Sequence, residues 1–322
     1  MLNRIILGHL AALFTTTVWG VTYVSTKYLV AEFRPAEILL VRLLLAILIL
    51  KCISPQRIQC SRSQEFCFAM AGLTGICAYF MLENTALTIT TATNVGIIVS
   101  SAPLFTALLA WPVLHDRTVL SPGFAAGFLL SMTGILLLSL RGSDLEVHPA
   151  GDLMVVAACV AWAAYSLIVK KTASWGFSSI AITRRAFMWG VVTVLPFALL
   201  GDLNLQDLSR YTNPLALGNL AFLGTVASAA CFVSWNFAVK VLGPVRTCVY
   251  IYTGPAVTVL SAMIFLGEQL NCTGIFGCLL TVLGLILSSL PSAKRPAAHS
   301  SAGGSGAKVP ADHPLPGEKP AK

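Results

Sequence analysis

The residues able to do chemistry in this chain are few, and they stand in apolar surroundings. Glu83 and Asn84 are adjacent within the apolar run from Phe66 to Leu87. A carboxylate placed there can take up a proton or hold an ammonium group, and an asparagine in hydrocarbon needs another helix or water to face. Asn94 and Asn236 impose the same requirement. Trp19, Trp162, Trp235 and Tyr250 each join a flat apolar body to a single polar group, and buried groups of that kind seek partners. These types suit the wall of a polar, aromatic-lined pathway for a small molecule. The candidates for it are Trp19, Asn84, Asn94, Trp162, Trp235, Asn236 and Tyr250, with Glu83 as a proton or ammonium site.

Catalysis finds no such support. The H-E-x-x-H, G-x-S-x-G and G-x-x-x-x-G-K-[ST] patterns do not occur, and His9, His115, His148, His299 and His313 are scattered without ligand spacing. The nine cysteines form no C-x-x-C pair, and Cys77, Cys159, Cys231, Cys248 and Cys278 sit in apolar runs, where cysteine packs as a small hydrophobe. No enzyme activity, metal or cofactor is expected.

The elements that must position these residues follow from composition. Of 322 residues, 56% are hydrophobic and only 11% charged, whereas soluble domains run near ~25% charged. Ten apolar runs are readable: Ile5 to Val30, Ala36 to Ile53, Phe66 to Leu87, Thr93 to Leu114, Ser121 to Leu140, Asp152 to Val169, Ser179 to Leu200, Leu215 to Val239, Val245 to Leu266 and Thr273 to Leu290. A span needs roughly 20 apolar residues, and in lipid every backbone amide needs an internal partner. The fold expected is therefore an all-α integral membrane protein of ten transmembrane helices. The Pro-, Gly-, Ser- and Lys-rich stretch 291–322 reads as a disordered, weakly basic tail.

Charge placement sets an expected orientation. With the N-terminus cytoplasmic, that side carries 13 basic residues before the tail and the opposite side five. Both termini are thus expected inside, with the first run retained as a span and not cleaved as a signal peptide. The net charge of +8 is then a topology signal, and no nucleic-acid partner is expected.

The chain repeats itself. Gly8, Trp19, Lys27 and Arg42 recur 143 positions later as Gly151, Trp162, Lys170 and Arg185. Asn84, Ala86, Pro103 and Asp116 recur 152 positions later as Asn236, Ala238, Pro255 and Glu268, and Gly127 and Gly134 recur 150 later as Gly277 and Gly284. The domains read as 5–140 and 151–290, five helices each. An odd number of spans makes the second half enter from the opposite side, so the two are expected as inverted repeats, the architecture of alternating access.

On these residues the chain resembles the drug/metabolite transporter superfamily, in particular its EamA-type ten-helix members. Ser100-Ser101-Ala102-Pro103 leading to Leu114-His115-Asp116, Thr253-Gly254-Pro255 leading to Leu266-Gly267-Glu268, and Trp19-Gly20 in the first run carry the likeness. The first copy departs from the usual Leu-Gly-Glu ending, having His115 and Asp116 where Gly and Glu are common. The resemblance implies an exporter of amino acids or related small metabolites, in a bacterial plasma membrane with both termini cytoplasmic. Carriage of phosphorylated or nucleotide sugars or of lipophilic compounds, and a non-transporting membrane sensor, are the alternatives. The partners expected are a small-molecule substrate and membrane lipid.

Several residues admit a second reading. Pro103 and Pro255 are candidate hinges or simple structural kinks. Arg42 and Arg185 read most simply as snorkelling to headgroups, and Lys27 and Lys170 as interfacial anchors. Gly123, Gly127 and Gly134 suit close packing within a half, and a homodimer contact is the other use of such spacing.

Overall fold

The computed structural model describes residues 2–56, 58–89, 92–115, 121–139, 149–202, 209–257 and 272–289. The tail 291–322 lies outside them. Among the described residues the chain is helical throughout, with no strand. The first half runs α1 (Leu2–Leu29), α2 (Pro35–Ile53), α3 (Arg62–Ile89), α4 (Ala92–Val99), α5 (Ala102–Leu114) and α6 (Pro122–Ser139). The second runs α7 (Pro149–Ala173), α8 (Ser179–Leu200), α9 (Pro214–Leu242), the short α10 (Pro244–Cys248) and α11 (Cys272–Ser289).

Local sequence explains where these helices start. Ser61 and Gln64 cap α3 reciprocally, Ser61 Oγ accepting from the Gln64 N–H at 3.3 Å and Gln64 Oε1 from the Ser61 N–H at 2.9 Å. Asn213 accepts from the Leu215 N–H at 3.0 Å, and Pro214 follows it in the first turn, where its missing N–H costs nothing. Among the described residues five helices, α1, α3, α7, α8 and α9, are long and apolar enough to cross a membrane. Helix α2 has 19 residues but carries Glu37, Arg42 and Lys51. Large apolar side chains face outward, including Leu7, Leu10 and Phe14 on α1 and Leu200 at 88% exposure on α8, an arrangement suited to lipid and not to water.

The fourth apolar run of each half, expected as one helix, is broken. In the first half the break falls at Ser100 and Ser101, between α4 and α5, and Pro103 sits in the first turn of α5. Both serines turn their hydroxyls back to the chain, Ser100 to the Gly96 carbonyl at 2.7 Å and Ser101 to that of Ile98 at 2.6 Å, competing with regular helix bonding. In the second half, α10 passes into a 3-10 turn at Val249–Tyr252 and then a helical stretch at 253–257 holding Pro255. The rest of that run, 258–266, lies outside the described residues.

The third helices depart from regularity at matched places as well. A π turn occupies Gly72–Ala78 in α3 and Leu223–Ala230 in α9, and the repeat offset of 152 carries Gly72 onto Gly224. Such bulges widen the helix and loosen its carbonyls. Glycine is required beside them: a Cβ on Gly72 would lie 2.6 Å from the Gly190 nitrogen, and one on Gly75 2.2 Å from Tyr165 Cγ.

The last helices of the two halves pack on each other. A Cβ on Gly127 would sit 2.7 Å from the Gly284 carbonyl oxygen, and one on Gly284 2.6 Å from that of Gly127. Close packing is thus what these glycines do, but it joins α6 to α11 across the halves, where the spacing alone had suggested packing within each half.

Candidate functional site

Where the halves meet, aromatic rings converge. The repeat mates Trp19 and Trp162 stand edge to face, their centroids 5.2 Å apart, and Trp235 lies 5.2 Å from the first and 5.4 Å from the second. Phe232, Tyr79 and Tyr165 complete the group around Trp162 at 5.9, 5.0 and 5.2 Å. Rings at these separations gain about 0.5–1.5 kcal/mol per pair beyond their burial.

Beside this cluster opens a cavity walled by residues of both halves, at the kind of place between packed helices where small-molecule sites form. Thr16, Trp19, Gly20 and Tyr23 present one face of α1 to it at helical spacing, with Thr22 beside them. Helix α2 supplies Arg42, α3 supplies Tyr79, Phe80 and Glu83, and the broken run supplies Gly96, Val99, Ser100 and Ala102. From the second half come Trp162, Ile251, Gly254 and Pro255. Glycine at position 20 lets α1 approach the second half, since a Cβ there would lie 2.9 Å from Val257 Cβ and 3.0 Å from the Gly254 carbonyl oxygen.

The cavity holds two opposite charges. Arg42 is 3% exposed and Glu83 7%. The Arg42 Nε donates to Ser228 Oγ at 2.9 Å, and its guanidinium lies over the Phe80 ring, 4.3 Å from the centroid, an attraction of about 2 kcal/mol once desolvated. Among the described residues its terminal nitrogens make no hydrogen bond, and Arg42 and Glu83 are not joined in an ion pair. Glu83 has the Arg42 guanidinium and the Tyr79 hydroxyl as electrostatic neighbours.

Polar groups around the charges are partly committed. Trp19 Nε1 donates at 3.0 Å to the carbonyl of Ala227, one of those loosened in the π turn of α9. Thr253 donates to Thr16 across the halves at 2.9 Å. Trp162 Nε1 is buried without a hydrogen-bond partner, with the Cys248 thiol as its electrostatic neighbour.

Of the residues singled out from sequence, Trp19, Glu83, Trp162 and Pro255 line the cavity. Trp235 is wholly buried in the aromatic cluster behind the wall. Asn236 accepts from the Tyr165 hydroxyl at 3.0 Å and donates to Thr183 at 2.8 Å, a closed network away from the cavity. Asn84 is buried beside Glu83 in sequence, and its Nδ2 has no partner. Tyr250 bonds His9 Nδ1 at 2.7 Å, and Pro103 is buried at the start of α5, outside the wall. Asn94 belongs to α4, and its side chain lies outside the described residues.

Sequence reasoning read Arg42 as snorkelling and passed over Thr16, Tyr23 and Phe80. The signal was there in the i, i+3, i+4, i+7 spacing of Thr16, Trp19, Gly20 and Tyr23. Lys27 and Lys170, read as interfacial anchors, reach the ends of the third helices of their own halves: Lys27 donates to the Leu87 carbonyl at 2.8 Å and Lys170 to that of Lys240 at 3.4 Å. A cation there satisfies carbonyls that a helix C-terminus leaves free.

An all-helical body with apolar faces turned outward, built of two copies around a cavity with buried charges, is a membrane carrier in class. The chain belongs to the EamA-like transporter family, whose model matches residues 6–140 and again 149–290, and with it to the drug/metabolite transporters. An uncharacterized transporter of Archaeoglobus fulgidus is 26% identical over 293 residues, covering 87% of this chain and 96% of the relative. A probable terminal-alkyne amino-acid exporter of Streptantibioticus cattleyicolor is 25% identical over 280 residues, covering 86% and 91%. A crystal structure of a protein 16% identical has a TM-score of 0.69, covering 89% of this chain and 96% of that one, a likeness of fold.

Proposed function

We propose that this membrane transporter exports amino acids or related small metabolites by alternating access. The observation that carries the reading is the cavity itself, walled by both repeats and holding one arginine and one carboxylate out of contact with each other. Two halves related by an inverted duplication can exchange conformations, closing one mouth as the other opens. The broken fourth runs, carrying Pro103 and Pro255, supply bending points in each half, and Pro255 stands on the cavity wall. The relative named as an amino-acid exporter supports the substrate class.

In this reading the membrane is a bacterial plasma membrane, as the family resemblance implies, and the basic residue count supports cytoplasmic termini. Purified protein in proteoliposomes preloaded with unlabelled amino acid should take up the labelled compound by counterflow, saturably and above protein-free vesicles. Absence of counterflow for every amino acid offered to well-folded protein would sink the amino-acid reading.

A further inference from the structure

We infer that the cavity recognises a zwitterion by both of its charges, Arg42 holding the carboxylate and Glu83 the ammonium, with the apolar body of the substrate against Trp19, Trp162 and Phe80. The inference rests on the proposal that substrate passes through this cavity, and it fixes the chemical class.

Three observations point to it. First, both charges are more than nine-tenths buried, yet among the described residues they form no ion pair with each other. Each has the other only as an electrostatic neighbour, with Tyr79 beside Glu83; since a buried charge is costly without a direct counter-charge, a molecule bearing the complementary pair would supply one to each group. Second, Arg42 is held at Nε by Ser228 and at its face by Phe80, while its terminal nitrogens make no hydrogen bond among the described residues. That leaves the edge of the guanidinium suited to a bidentate carboxylate. Third, Trp162 Nε1 is a buried donor on the cavity wall whose nearest polar neighbour is only the weakly accepting Cys248 thiol, a further group for a carboxylate or carbonyl oxygen to meet.

The formal charges of Arg42 and Glu83 cancel, which disfavours the alternatives. A phosphate ester would need more than one cation, but the repeat mate of Arg42, Arg185, is engaged with Glu65 and is not on the cavity wall. A lipophilic cation would meet Arg42, and a simple carboxylic acid would meet Glu83. Only a molecule with both charges satisfies both groups.

The test is equilibrium binding to the purified full-length protein, using labelled L-phenylalanine and L-leucine. The competitors are 2-phenylethylamine, which keeps only the ammonium, and 3-phenylpropionate, which keeps only the carboxylate. At least one amino acid should bind, and each half-analogue should compete at least about tenfold more weakly, the loss expected for one charge-assisted hydrogen bond. Glu83→Gln should close the gap for 3-phenylpropionate, and Arg42→Gln the gap for 2-phenylethylamine, while Arg42→Lys keeps the preference for the zwitterion. The analogue series on the unaltered protein decides the matter even if a variant fails to fold. Equal competition by the half-analogues overturns the inference, as does absence of binding by both amino acids. Counterflow of a phosphorylated or cationic solute in the absence of amino-acid binding would overturn the zwitterion site and leave carriage standing. Amino-acid binding with no counterflow would do the reverse.

Discussion

Arg42 and Arg185 occupy the same place in the two repeats, and they do different things. Arg42 reaches into the cavity, held by Ser228 and Phe80. Arg185 bonds Glu65 at the far end of the molecule, its Nε 3.1 Å from Oε2, where Trp189 Nε1 also donates at 3.0 Å. The divergence continues along the cavity. By the repeat offsets, Thr16, Tyr23 and Glu83 of the first half correspond to Cys159, Ser166 and Trp235 of the second. The frame is shared, down to matched π turns and broken fourth runs, whereas the charged and hydroxyl groups of the cavity belong mainly to the first half. Duplication supplies the scaffold, and the charged and hydroxyl groups of the cavity stand on one copy.

The ends of the molecule show the same relation with the signs exchanged. At one end Glu37 on α2 pairs with Arg210, just before α9, at 2.9 Å, and accepts from the Tyr211 hydroxyl at 2.7 Å. At the other, Arg185 on α8 pairs with Glu65 near the start of α3. Each clamp ties the second helix of one half to the beginning of the third helix of the other. Ser54 and Gln56, just past the end of α2, give their carbonyls to Arg184, so the two clamps lie about a helix length apart, roughly 28 Å for 19 residues.

The clamps differ in burial, which makes them the sharpest test of the comparison. Glu37 and Arg210 side chains are 1% and 10% exposed, and those of Glu65 and Arg185 are 23% and 31%. Glu37→Gln removes the charge of a buried carboxylate that accepts from both Arg210 and Tyr211 and should cost about 3 kcal/mol. Glu65→Gln, in partial contact with solvent, should cost about 1 kcal/mol or less. Reversible unfolding in mixed micelles measures both, and equal losses would mean that the ends are not energetically distinct.

The arginine mates separate function from scaffold. Arg42→Gln should lower amino-acid counterflow by about 100-fold, equivalent to about 2.7 kcal/mol, while Arg185→Gln should leave counterflow within about threefold of the unaltered protein. Equal loss in the two variants would place both in the transport cycle and remove the asymmetry.

The asparagine mates should differ in stability. Asn236 is bonded at both ends by Tyr165 and Thr183, and their first-half counterparts are Thr22 and Leu40. Asn84 has lost those partners, and its Nδ2 is unsatisfied. Asn236→Leu orphans the buried Tyr165 hydroxyl, while Thr183 keeps its bond to the Ser179 carbonyl, and should cost about 2 kcal/mol, whereas Asn84→Leu removes a donor that has no acceptor and should be neutral or stabilising by up to about 1 kcal/mol. Unfolding midpoints of the two variants decide it.

The asparagines also show how much of the site is written along the chain. The helices and the duplication were legible, because apolar runs and paired spacings are written along the chain. Trp19 and Trp162 were legible for the same reason: their matched positions put them where the halves meet. Asn84 and Asn236 look alike in one dimension, and only packing reveals that one has kept its partners. Arg42 is the eighth residue of α2, a place where an arginine can equally reach the headgroups, and nothing local says that Ser228 of the other half will hold it inward. The broken fourth runs were hidden because Ser100 and Ser101 sit in an otherwise unbroken apolar stretch.

The smallest expected effect concerns the end of α5. His115 closes that helix with φ of 53°, a left-handed conformation that costs a residue bearing a Cβ roughly 1–2 kcal/mol and glycine much less. Its counterpart by the repeat offset is Gly267, the residue such a cap favours. The turn after α5 therefore makes a demand on His115 that glycine would meet at less cost. His115→Gly should raise stability by about 1 kcal/mol, set against a smaller loss from the added freedom of the unfolded chain, with no change in counterflow. A drop in counterflow without a drop in stability would instead give His115 a part in transport, and the departure of the first repeat from the family's pattern would then have a functional cause.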